Sequence, residues 1–113
     1  MTRFDSTLDM GARRALETNL PVRLWYADDD HFAEVFFFRD MVLHAELDGL
    51  FGVTAVVAML TSDVRFALDV GVWPRECVHA IPWSVTRSAA ERERARVHHA
   101  RHDDEATERI DAR

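Results

Sequence analysis

Residues 32 to 47 read Phe32-Ala33-Glu34-Val35-Phe36-Phe37-Phe38-Arg39-Asp40-Met41-Val42-Leu43-His44-Ala45-Glu46-Leu47. A run rich in aromatic and β-branched side chains reaches a polar dipeptide, and a second run follows in which apolar residues alternate with more polar ones. Such residues suit a pleated surface, and a two-residue polar connection between two of these runs marks a hairpin. A tight Arg39-Asp40 turn pairs Phe38 with Met41, Phe37 with Val42, Phe36 with Leu43 and Val35 with His44, and paired residues share a face. One face then carries Phe36, Phe38, Met41, Leu43 and Ala45. The other carries Val35, Phe37 and Val42, grading into His44, Glu46 and Asp48, so both faces of the hairpin call for cover.

Upstream, Val22, Leu24 and Tyr26 alternate with Arg23 and Trp25 before the turn-forming run Ala27-Asp28-Asp29-Asp30-His31, which extends the hairpin to a three-stranded meander. Before Pro21, Ser6-Thr7-Leu8-Asp9 has the form of a capping box, and Leu8, Ala12, Ala15 and Leu16 recur at helical spacing. These predict a helix over about Ser6 to Thr18, weakened by Gly11. Downstream, Asp48-Gly49-Leu50-Phe51-Gly52 breaks the strand, and Val53, Val56, Val57 and Leu60 then mark a buried helix from Val53 to Leu60. Val64, Phe66 and Leu68 read as a fourth strand, Gly71-Val72-Trp73-Pro74 as a turn, and Cys77 to Ile81 as a short extended piece. From Ser84 the chain turns to Ala, Arg, Glu and His, with Arg87 and Glu91, Arg101 and Glu105, and Glu105 and Arg109 spaced i to i+4. The expected fold is α+β: a mainly antiparallel sheet of about four to five strands packed on a buried helix, with a long polar C-terminal helix. Residues 1–87 form the expected core domain, and residues 88–113 a polar C-terminal helix or tail.

Composition sets outer limits. The chain has 113 residues, 48% of them hydrophobic and 30% charged, enough for one core and too few for a second. Its net charge of -6 is the wrong sign for general attraction to nucleic acid or to an anionic membrane. All 14 basic residues are arginine, which excludes Schiff-base chemistry and the P-loop lysine. Val53 to Leu60 is far short of the ~20 apolar residues that cross a bilayer, so no membrane insertion is expected. The opening Met1-Thr2-Arg3-Phe4-Asp5 lacks the apolar core of a signal peptide, and Cys77, the single cysteine, has no intrachain disulfide partner. A cytoplasmic location is the expectation.

Three clusters carry possible chemistry. His98, His99, His102 and Asp103 place two imidazoles one helical turn apart, but the local sequence supplies no third ligand or orienting shell. Asp28-Asp29-Asp30-His31 offers hard oxygen donors without the alternating spacing and glycine of a calcium loop, and reads as a soluble hairpin tip. Cys77 and His79, two apart, share a face if extended, yet free cysteine is most often simply buried.

The stretch from Ala33 to Ala45, followed by Gly49, Gly52, Ala55, Met59-Leu60 and Phe66, resembles the PATAN domain, a bacterial family named for the N-terminal region of PatA-type response regulators. The resemblance runs from about Leu16 to Gly71, with an echo at Ile81. Asp40 stands at the place of the family's turn glycine, in left-handed geometry that Asp tolerates, and Ser88 to Arg94 replace an apolar final helix. The resemblance implies a non-catalytic module of signalling chains in motility and cell polarity, found beside receiver domains or Ras-like GTPases. A weaker echo, in Tyr26, Asp30, Phe32, Ala33 and Phe38, is similar to the start of the SsgA-like sporulation and cell-division proteins.

Together these readings predict a non-enzymatic protein-protein interaction module without catalytic residue, cofactor or metal, and the resemblance implies that its partner is a Ras-like GTPase, a receiver domain or a motility ATPase. Val35, Phe37 and Val42 supply the apolar part of the contact, and His44 and Glu46 its selective rim. The Arg and Glu residues between Arg87 and Arg96 are a second candidate surface. A homodimer through the same sheet face, and a small enzyme or metal protein using Cys77 with His79 or the His98 to Asp103 cluster, are the competing classes.

Overall fold

A computed structural model describes residues 2–75 and 80–96 of the chain. Thr7 caps the first helix, α1 (Leu8–Thr18), by accepting a hydrogen bond from the Met10 amide at 3.2 Å. The cap is thus one residue later than the Ser6 start read from the sequence. Ser6 is instead used in an isolated antiparallel bridge with Phe66, its amide donating to the Phe66 carbonyl at 2.9 Å. Asn19 closes the helix in the left-handed region, a conformation Asn accepts more readily than most residues.

Three strands follow in meander order: β1 (Val22–Ala27), β2 (Phe32–Phe38) and β3 (Met41–Leu47). The bends between them have different chemistry. At the β1–β2 tip the Asp28 carboxylate accepts hydrogen bonds from the amides of Asp30 and His31 at 2.8 and 2.7 Å, a side chain substituting for backbone in a turn. At the β2–β3 turn the residue with positive φ is Arg39, at 56°, so the left-handed geometry expected at Asp40 falls one residue earlier. Asn19 steadies Arg39, accepting from its Nε at 3.1 Å.

Asp48 and Gly49 both have positive φ, 48° and 86°, as a two-residue type I′ turn requires. They fold β4 (Leu50–Phe51) back onto β3, so a segment read as a strand break is a second hairpin. The helix α2 (Val53–Ser62) begins at Gly52, whose φ of 67° and ψ of -140° suit glycine alone. The fourth strand of the sequence reading lies later than expected: β5 is Ala67–Val70, paired with β1, because Asp63 turns the chain in the left-handed region and Phe66 is held by Ser6. The short β6 (Ile81–Pro82) pairs with the start of β3. The sheet order is β4-β3-β2-β1-β5, antiparallel in every pairing, with β6 beside β3.

A third helix, α3, is described over residues 83–96 and runs without a break through residue 88. Ala90 is fully buried in the core and the Trp83 ring meets the Phe37 ring edge-on at 5.2 Å. Arg87 clasps Asp9 at the start of α1, Nε to Oδ1 at 2.8 Å and Nη2 to Oδ2 at 2.9 Å, and also reaches Glu91. The guanidinium holds the Asp9 carboxyl below its ordinary range. The two charges together fix the third helix on the first.

One continuous core lies between the helices and one face of the sheet. Leu8, Ala12 and Ala15 from α1, Ala55, Val56 and Met59 from α2, and Ala90 from α3 meet Val22, Leu24, Ala33, Val35, Phe37, Val42 and Ala45. Gly11 faces Leu24 so closely that a Cβ there would stand 2.5 Å from a leucine methyl. The glycine that weakens the helix is what lets it approach the strand.

This core corrects the expected interaction surface. Val35 and Phe37 are completely buried and Val42 nearly so, under the helices of the same molecule, and they are unavailable to a partner. The ladder between β2 and β3 also splits the expected surface. Phe38 pairs with Met41 and Phe37 with Val42 as the turn dictates, but Phe36 pairs with His44 and Val35 with Ala45, leaving Leu43 as an extra residue. A one-residue bulge exchanges the faces of everything beyond it. Ala45 and Leu47 therefore pack toward the core, while His44 and Glu46 share the opposite face with Glu34 and Phe36.

Candidate functional site

Two rows of side chains cross the sheet face that the helices leave open. Register places Asp69, Arg23, Phe36 and His44 side by side across β5, β1, β2 and β3. The next row runs Trp25, Glu34, Glu46 and Phe51 across β1, β2, β3 and β4. The polar partners in these rows are the residues that alternate with core positions in each strand, so the site follows from the same period that builds the core.

Residues 72–75 form one wall over these rows. Trp73 leans on Phe38 with ring centroids 4.9 Å apart, and Val72, Pro74 and Arg75 continue the wall. The resulting groove, about 600 Å³, is floored by Arg23, Glu34, Phe36, His44 and Glu46 and flanked by Phe32 and Phe51. Phe51 and Trp73 are 59% and 58% exposed, high values for large aromatic residues. Leu50, Val70 and Val72 add exposed apolar surface around them.

The floor is charged and half-buried. Arg23 Nε donates to Glu34 Oε2 at 2.7 Å, its Nη1 lies 3.6 Å from Asp69 Oδ2, and its guanidinium sits 5.2 Å from the centre of a Trp25 ring. Trp25 in turn donates to Asp69 at 2.9 Å. Glu34 and Glu46 are direct cross-strand partners, an arrangement in which like charges repel. His44 lies between the rings of Phe36 and Phe51, with centroids 6.2 and 6.1 Å away, and its Nε2 is 3.9 Å from Glu46 Oε2. One potential ligand atom from each of Glu34, His44 and Glu46 falls within 4.8 Å of the others.

Of the residues read from the sequence as an interface, His44 and Glu46 are in this groove and Val35, Phe37 and Val42 are on the far side of the sheet. The groove adds Arg23, Glu34, Phe36, Phe51 and Trp73, which the sequence reading did not assign to a site. Asp28 is occupied within its own loop by the Tyr26 hydroxyl and two backbone amides, which lower its pKa. Its neighbour His31 contacts Asp48, at 2.7 Å from Nδ1 to Oδ2, and Asp48 also accepts from the Phe32 amide at 2.8 Å. That loop is accounted for as a stapled hairpin end. Cys77 with His79, and the cluster from His98 to Asp103, lie outside the described residues.

Comparison with models of known families, with curated proteins and with solved structures found no match. Among the described residues no helix is long and apolar enough to cross a membrane.

Proposed function

We propose that the chain is a non-enzymatic protein-recognition module and that the groove on its open sheet face is the contact surface. The observation that carries this reading is the exposure of Phe51 and Trp73 on one groove with a charged floor. Aromatic anchors beside half-buried charged groups are the composition of recognition surfaces: the rings supply apolar burial, and the charges select the partner. The resemblance to the PATAN domain adds a setting, a cytoplasmic bacterial signalling, motility or polarity system, and a class of partner, a Ras-like GTPase, a receiver domain or a motility ATPase.

The experiment is capture of partners from cells with wild-type protein, Phe51→Asp and Trp73→Asp. The expected result is one partner retained by the wild type and lost by both variants, each variant still melting like the wild type. Self-association through this face is the second reading, favoured by the same exposed rings. It predicts a mass that rises with concentration for the wild type and stays at one chain for Phe51→Asp.

A further inference from the structure

We propose that Glu34, His44 and Glu46 form a binding site for a divalent transition-metal ion of the zinc type on the open face of the sheet. The three side chains come from the two central strands of the hairpin, and their ligand atoms lie within 4.8 Å of one another. Donors around a zinc ion stand roughly 3.3 Å apart at bond lengths of ~2.0–2.1 Å, a contraction that rotation of the two glutamates supplies.

Three features of the fold act together to build this site. The bulge at Leu43 brings His44 and Glu46 to the face of Glu34; a regular ladder would send them to the core. Arg23 holds Glu34 through Oε2, which leaves the second oxygen for an ion and orients the carboxylate, as outer partners do for metal ligands. Phe36 and Phe51 flank the His44 ring.

The charges favour a cation as well. Glu34 and Glu46 oppose each other directly, Arg23 answers one of them, and His44 stands 3.9 Å from the other, beyond hydrogen-bond length. One imidazole and two carboxylates are a mixed nitrogen and oxygen set, suited to zinc, manganese or ferrous iron. Calcium and magnesium prefer more oxygens, and copper(I) prefers sulfur. Three protein donors leave a fourth position, which faces the groove.

The inference does not rest on the recognition reading, because Trp73→Asp should abolish partner capture and leave metal binding intact. The test is calorimetric titration of the chain carrying His98→Ala/His99→Ala/His102→Ala with zinc chloride, a background that removes the competing C-terminal imidazoles. One equivalent is expected to bind, and His44→Gln or Glu46→Gln in that background should weaken it by about tenfold or more. In the same titration, nitrogen NMR of the His44 ring should show the shift of a metal-bound imidazole, a readout that needs no groove variant. Absence of saturable binding, an unmoved His44 ring, or one equivalent that survives both substitutions would overturn the proposal.

Discussion

Phe36 is paired with His44 across the central hairpin, one residue beyond the partner that the Arg39-Asp40 turn alone assigns to it. That displacement decides which side of the sheet carries the chemistry. With Leu43 set aside as the extra residue, the alternation His44, Ala45, Glu46, Leu47 reads polar outward and apolar inward, in phase with Glu34 and Phe36 on one side and Val35 and Phe37 on the other. Without it, His44 and Glu46 would enter the core with no partners for their polar groups.

The two faces therefore respond differently to mutation. Phe37→Ala removes a fully buried ring that packs on Trp83 and should cost about 3–5 kcal/mol in urea denaturation. Phe51→Ala, on the exposed side, should remain within about 0.5 kcal/mol of wild type. Equal losses at the two positions would contradict the assignment of faces.

Gly11→Ala tests the approach of α1 to β1. Helix propensity alone predicts a gain of about 1 kcal/mol. The new Cβ would meet Leu24 side-chain atoms at 2.5, 2.8 and 3.1 Å, and Leu24 is fully buried, so its side chain must shift against packed neighbours. Overpacking of this kind costs about 1–3 kcal/mol, so the expected outcome is a lower urea midpoint.

The hairpin strands and the existence of the second helix were legible because their signals are local. The most buried face of that helix is Ala55, Val56 and Met59, whereas the Val53, Val57 and Leu60 stripe is only partly covered. Phe32–Phe38 and Met41–Leu47 have the bounds that aromatic content and alternation assign, and α2 begins at Val53 where the helical period begins. The bulge was also written in the chain, as an apolar run Met41-Val42-Leu43 followed by a phase change at His44, but a tight turn read by itself fixes register only for the pairs nearest to it. Asp48-Gly49 carried a hairpin signal that the glycines on either side of Leu50 made look like a break. The groove wall at residues 72–75 was not legible, because nothing local says that Trp73 folds back onto Phe38.

Arg87→Ala should lower stability by about 1 kcal/mol, the upper range for an exposed ion pair with bidentate geometry. Its pH dependence has a definite sign. Asp9 is held below its ordinary value of 3.8, chiefly by the hydrogen bonds from Arg87, so the pair contributes fully above that value and is lost as pH falls through the lower folded value. Wild type and variant should converge in thermal midpoint as pH falls below the folded value of Asp9. A difference that persists there would assign the effect to packing of the arginine stem.

The His31 ring should titrate above its ordinary 6.5, raised first by its hydrogen bond to Asp48 and then by that carboxylate's charge. Folded pKa above unfolded means that any stabilisation from this pair is full below 6.5 and is lost as pH rises through the folded value. Asp48 is lowered, by the Phe32 amide and then by His31, so its own contribution is lost at the acid end. Proton NMR of the histidine ring checks this directly: Asp48→Asn should move His31 back toward its ordinary value, and an unchanged titration would remove Asp48 as the cause.

The open sheet face as a recognition surface is the central claim, and site-specific photo-crosslinking in cells tests it most directly. A photoreactive residue is placed at Phe51, at Trp73, and at Leu16, which is equally exposed on the helical side of the molecule. The account predicts the same crosslinked protein from positions 51 and 73 and none from position 16. A partner crosslinked from position 16 alone would place the contact on the helices and contradict it.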